Sequence, residues 1–132
     1  MNSMIEIHDS RLAEIAWESG DLVLRFAPAY VHRSEGRPGF DVGSGWLLEL
    51  DLRIAAAVAE SLPTNIPVSL ADGRFFEGEI GWDNTIPLPL GFDGEVSLRA
   101  ITGESEWLIV RGQGASIVER GEPVYLEEYP GA

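Results

Sequence analysis

The sequence predicts an all-β domain, an antiparallel sandwich or open barrel of about eight to ten short, meandering strands with at most one short helix. Two observations carry that expectation. Apolar residues alternate with period two along most of the chain, and in the second half glycine-bearing turn signals recur about every 8–12 residues. At 132 residues the chain has room for one core and is short for two, so residues 1–132 are read as a single domain.

The first clear strand is Leu22-Val23-Leu24-Arg25-Phe26, in which Leu22, Leu24 and Phe26 share a face. Leu48-Glu49-Leu50-Asp51-Leu52-Arg53-Ile54 is the cleanest, with four aliphatics on one side and three charges on the other. One dry and one wet face is the pattern of an antiparallel sheet. Phe76, Gly78, Ile80 and Trp82 continue the alternation with Glu77 and Glu79 outward, followed by Val96, Leu98 and Ala100, then Leu108 and Val110. Ala115 with Ile117, and Val124 with Leu126, mark two last strands. Between them, Ser19-Gly20, Asp72-Gly73, Asp93-Gly94 and Thr102-Gly103 carry hairpin chemistry, and Gly112 and Gly121 add turn signals.

Three segments break the rhythm. Ser34 to Gly45 holds Gly36, Gly39, Gly43 and Gly45 together with Pro38, and reads as a long loop of functional or mobile character. In Asp83 to Leu90, Pro87 and Pro89 forbid an inner strand and hold the chain extended. Ile54 to Leu62 is Ala-rich and ends at Pro63, the one helical candidate; it has no N-cap and continues the strongest strand, so its first half is read as strand.

Charge bounds the partners. Twenty-two acidic side chains face nine basic ones, all arginine, for a formal net charge of −13. Nucleic acid and anionic membranes need a basic footprint, so neither is expected as a partner. The absence of cysteine excludes disulfides, thiolate catalysis and cysteine-ligated zinc. The N-terminus lacks the basic and apolar regions of a signal peptide, and no apolar run approaches the roughly 20 residues of a spanning helix. The expectation is a cytoplasmic protein, and arginine without lysine suggests a GC-rich bacterial genome.

Motifs for chemistry are sparse. His8-Asp9-Ser10 holds the residue types of a hydrolase triad, but consecutive residues of an extended chain point to opposite faces. Asp9 and Ser10 are better read as satisfying backbone donors at a turn. His8 and His32 lack the spacing of a metal motif, so no metal and no cofactor are expected, and whether the two approach each other is left open. Glu77 with Glu79, and Glu127 with Glu128, are more simply solvated side chains guarding strand edges than an acid–base pair. Trp17, Trp46, Trp82 and Trp107 are read as core or core-rim residues, Trp46 being of interest beside the glycine-rich loop.

Three stretches, His8-Asp9-Ser10, Asn84-Thr85-Ile86-Pro87-Leu88-Pro89-Leu90 and Val110-Arg111-Gly112-Gln113-Gly114, resemble a scattered group of small uncharacterised bacterial all-β proteins. Some of these, with a similar His-Asp-Ser start, look like immunity proteins of bacterial toxin systems. The resemblance implies a binding protein and no catalytic residues.

The sequence is therefore read as a non-enzymatic, acidic interaction module for a protein partner, a basic one by charge, with an immunity-type, toxin-neutralising role among the candidates. The alternative is a small-ligand or carbohydrate-binding β-sandwich whose aromatic pocket uses Tyr30, His32, Trp46 and Trp82. Edge strands leave a homodimer available to so short a β-chain.

Overall fold

The computed structural model describes residues 1–132 and contains eleven strands and no helix. They are β1 (Asn2–Glu6), β2 (Arg11–Glu18), β3 (Asp21–Ser34), β4 (Gly43–Ile54), β5 (Val58–Ser61) and β6 (Val68–Glu77). After them come β7 (Ile80–Asp83), β8 (Thr85–Leu88), β9 (Gly91–Thr102), β10 (Trp107–Glu119) and β11 (Val124–Tyr129). With no helix in the fold, none is long and apolar enough to cross a membrane.

Six strands close a barrel. β2, β3, β4, β10, β9 and β6 pair antiparallel in that order, and β6 returns to β2 through Arg11↔Ser69 and Leu12↔Val68. The remaining strands extend it: β1 pairs with β3 and carries β8, β11 pairs with β4, β5 with β10 and β7 with β6. All-β character is as expected, but the barrel is closed and four of the eleven strands are long. β3, β4, β9 and β10 run 14, 12, 12 and 13 residues, and β3, β4 and β10 each serve the barrel with one part and an outer strand with another. The interior is a single core of 22 buried residues, including Leu22, Leu24 and Phe26 of β3 and Leu48, Leu50, Leu52 and Ile54 of β4.

Glycine signals divide into real turns and bulges. Ser19-Gly20 turns β2 into β3 with φ of 52° and 86°, the left-handed pair of a type I′ hairpin. Thr102-Gly103 likewise precedes the β9–β10 turn. Asp72-Gly73 and Asp93-Gly94, expected as turns, lie inside β6 and β9 at register shifts. A bulge needs a permissive backbone as much as a turn does. Gly73 also answers a packing need, since a Cβ there would stand 2.9 Å from Ala100 Cβ. Gly112 joins the two expected strands on either side of it into one continuous β10. Conversely, Glu77-Gly78-Glu79, read as strand, turns β6 into β7 through Gly78 at φ 59°.

The helical candidate is strand and turn. β4 ends at Ile54, Ala56 takes φ 46°, and Val58–Ser61 pairs with β10. Tertiary pairing outweighs the helix propensity of the alanines. Pro87 falls in β8, which pairs only with β1 at the end of the sheet, the edge position that proline demands.

Candidate functional site

One face of the extension sheet β1–β3–β4–β11 is built to hold side chains rather than to pack. Tyr30 and His32 project there because β3 carries an extra residue: Phe26 pairs with Leu50 but Ala29 with Leu48, three residues against two. The bulge inverts the alternation, so Ala29 and Val31 enter the core while Tyr30 and His32 turn to the opposite face. Across the strands, His32 lies beside Met4 on β1 and Gly45 on β4, and Gly45 beside Glu127 on β11.

Gly45 makes room for Tyr30. A Cβ at this position would overlap the Tyr30 hydroxyl and come within 2.8 Å of its Cζ. The phenol reaches over the glycine and donates to Glu127 Oε1 at 2.6 Å. Burial, and secondly the bond to Glu127, pushes the Tyr30 phenol far above its ordinary value. His32 stands between Tyr30 and Tyr129, edge-on to both at ring distances of 4.9 and 4.8 Å. Its Nε2 lies 2.7 Å from Glu6 Oε2, and its Nδ1 is buried without a hydrogen-bond partner.

Two further segments wall the site. Residues 35–42, the connection between β3 and β4, are tied down rather than loose. Tyr129 Oη donates to Gly39 O at 2.8 Å, Asn2 Nδ2 to Gly36 O at 2.7 Å and Ser34 Oγ to Val42 O at 2.7 Å. Opposite, the β7–β8 turn presents Asp83, Asn84 and Thr85, with Asn84 at φ 55° accepting the His8 N–H through Oδ1 at 2.7 Å. Together these elements border an open cavity of about 360 Å³. Its carboxylates are Glu6, Asp9, Asp83 and Glu127, its rings those of Tyr30, His32, Phe40 and Tyr129, and no arginine lines it.

Of the residues named from sequence, Tyr30 and His32 meet in this cavity and Trp46 and Trp82 do not line it. Trp46 pairs with Val31, on the face opposite His32, and packs at the core rim with Tyr125 5.4 Å away and the Arg33 guanidinium 4.7 Å from its ring. Trp82 packs against the core too, and its indole N–H donates to Glu77 at 2.9 Å across the β6–β7 hairpin.

Glu127 is exposed on the end strand β11, as its sequence context suggested, and in addition holds the Tyr30 hydroxyl. Glu6, Phe40 and Tyr129 carried no motif at all. The legible trace was Tyr30-x-His32 on one strand and Gly45 on the next, where His32 faces the glycine in register and the Tyr30 ring lies over its missing side chain.

His8 and His32 both approach Glu6: His8 Nδ1 lies 4.0 Å from Oε1, opposite the oxygen bound by His32. His8 Nδ1 also lies 3.3 Å from Asp9, which takes φ 74° in a turn, so this pair is closer than an extended chain would allow. Ser10 plays the turn role expected of it. Its buried hydroxyl donates to Glu6 O and accepts the Tyr30 N–H at 3.0 Å. Glu6, His8 and Asp9 form the one group whose ligand atoms would converge on a metal ion, and two of the three are exposed.

No family model matches the chain, and neither the curated proteins nor the solved structures contain a match to it.

Proposed function

We propose that this protein is a non-enzymatic recognition module of the bacterial cytoplasm that binds a basic protein partner, an immunity-type neutralising protein being one such role. The observation that carries the reading is the cavity beside β3, which four carboxylates and three aromatic walls besides His32 line and no arginine does. Around it the negative charge stays largely uncompensated. Arginines reach Glu14, Glu18, Asp21, Asp51, Glu60 and Asp83, leaving most of the 22 acidic side chains without one. Such a field speeds encounter with a basic partner and disfavours acidic ones.

The hydroxyl of Ser10 supports binding over catalysis, because backbone groups already occupy it as donor and acceptor. The same aromatic walls favour a second reading, a small-ligand or carbohydrate site, with the stacking surface that such ligands use.

The test is retention of partners from a bacterial lysate on immobilised protein, at low and at raised salt, with a Glu6→Gln/Glu127→Gln double variant alongside. A stoichiometric basic protein, lost at raised salt and weakened by the double variant, is the expected result, since screening acts on exposed charge pairs. Retention of no protein, or of one indifferent to both salt and the variant, defeats the reading; the former outcome favours the small-ligand reading.

A further inference from the structure

The spacing of acceptors around the cavity distinguishes among cations. A metal ion, or a compact ammonium, needs donors that converge on a point. Only Glu6, His8 and Asp9 bring ligand atoms within 4.8 Å of one another; Glu127 and Asp83 stand outside that group. The carboxylates are instead distributed, Glu6 held from the β1 side by His32 and Glu127 from the β11 side by Tyr30. Glu127 is fixed by that one bond and Glu6 by the His32 bond and a long 3.5 Å one from Asn84 Nδ2, and each retains further acceptor capacity, as a carboxylate has about four lone-pair sites.

Two more features point the same way. Flat rings line the cavity beside the carboxylates, and one of them, Phe40, already stacks the guanidinium of Arg37 at 3.8 Å. His32, which lines the cavity with its side chain 9% exposed, has Nδ1 without any partner. The imidazole is thus buried and committed through Nε2 to Glu6, which it holds in place as a fixed carboxylate on the cavity wall.

Resting on the reading of a basic partner, we infer that the cavity is the receptor for a single arginine side chain of that partner. A guanidinium is planar, stacks on aromatic faces and presents five N–H donors in a rigid fork. It reaches acceptors on two sides at once, which a point charge does not. Glu127 and Glu6 are its carboxylate contacts, and Tyr129 and Phe40 the rings it lies against.

The probe is the blocked tripeptide acetyl-Gly-Arg-Gly-amide, titrated into the ¹⁵N-labelled protein and followed by backbone amide shifts. The lysine tripeptide and the neutral isostere with citrulline serve as comparisons. Saturable shifts are expected for the amides of Tyr30, His32, Gly45 and Glu127, with lysine binding at least several-fold more weakly and citrulline giving none. Glu127→Gln keeps an acceptor for Tyr30 but loses the charge, and lowers arginine-peptide affinity about tenfold or more, the worth of one charge-assisted hydrogen bond. Its amide spectrum away from β3, β4 and β11 reports that it is folded, and Glu6→Gln is the second variant should that spectrum collapse.

Equal binding of lysine and arginine, shifts centred elsewhere, or no saturable shift overturns the inference. These outcomes are separate from the partner test. A salt-sensitive basic partner whose affinity ignores both variants leaves the general reading standing and removes the arginine pocket. Arginine binding in the cavity with no retained protein does the reverse.

Discussion

Gly45→Ala is the sharpest test of how the cavity is built. The new Cβ would overlap the Tyr30 hydroxyl, stand 2.8 Å from Cζ and 3.3 Å from Glu127 Cγ. Tyr30 is not free to swing aside, because it is buried, packed edge-on to His32 and bonded to Glu127 at 2.6 Å. Overpacking of this kind costs about 1–3 kcal/mol, and loss of a hydrogen bond to a charged group about 1.5–3 kcal/mol. Against these, alanine is more favourable than glycine within a strand by about 0.5–1 kcal/mol. The net expectation is a loss of about 3 kcal/mol, which for a domain of this size lowers Tm by about 10 °C.

Denaturant unfolding of the wild type, G45A, Tyr30→Phe and the double variant measures this directly. Tyr30→Phe has already lost the bond to Glu127, so G45A costs less in that background, by about 1–2 kcal/mol. Phenolate absorbance supplies a second readout. Tyr30 displaced from its site ionises nearer the ordinary range, because burial is the main cause that holds its phenol high. Stability of G45A within about 0.5 kcal/mol of wild type, or additivity with Tyr30→Phe, would refute the reasoning.

Three further outcomes are expected. Asp51, 4% exposed, binds Arg25 Nε at 2.9 Å and Arg120 Nε at 2.7 Å, and the bond to Arg25 leads in holding its carboxyl below the ordinary value. Its contribution is therefore complete above about pH 4, the unfolded value, and is lost as pH falls through the depressed folded one. Asp51→Asn costs about 3 kcal/mol at neutral pH, the low end for a buried pair since both arginines keep contact with water, and urea midpoints across this acid window show a flatter pH dependence. Gly112→Ala drives a methyl into the Ala55 carbonyl oxygen and Ile54 Cγ2, and costs about 2–3 kcal/mol in thermal unfolding, whereas Gly121→Ala, with nothing within 4 Å, is neutral. Glu106 accepts from the N–H groups of Asn65 and Thr64 and from the Thr64 hydroxyl, which lowers its carboxyl, so Glu106→Gln speeds hydrogen exchange of those two amides at neutral pH.

The strands of this protein were legible where one face is dry and the other wet. Leu48 to Ile54 alternates without interruption, and all four of its aliphatics enter the core. Turn chemistry was legible where a turn needs two left-handed residues, as at Ser19-Gly20. What failed was the distinction between a turn and a bulge, since Asp-Gly pairs serve both and only the partner strand decides between them. Gly73 and Gly112 were also misread for a long-range reason. Their missing side chains admit Ala100 and the Ala55 carbonyl, neighbours 27 and 57 residues away that no local window contains. Closure of the barrel belongs to the same class, because it hangs on the two residue pairs that join β2 to β6.

The candidate site follows from two such non-local irregularities. Uninterrupted alternation from Leu22, Leu24 and Phe26 would carry Tyr30 and His32 into the core, where a phenol and an imidazole would each need buried partners. The extra residue between Phe26 and Ala29 sends Val31 inward instead and presents both rings to the outer face. Gly45 then leaves the adjoining strand bare, so the Tyr30 ring lies across it and meets Glu127 on β11. Without the bulge there is no polar face, and without the glycine no link between β3 and β11 across it. Strand alternation alone predicts a domain with a good core and a featureless surface; the two departures from it make a cavity.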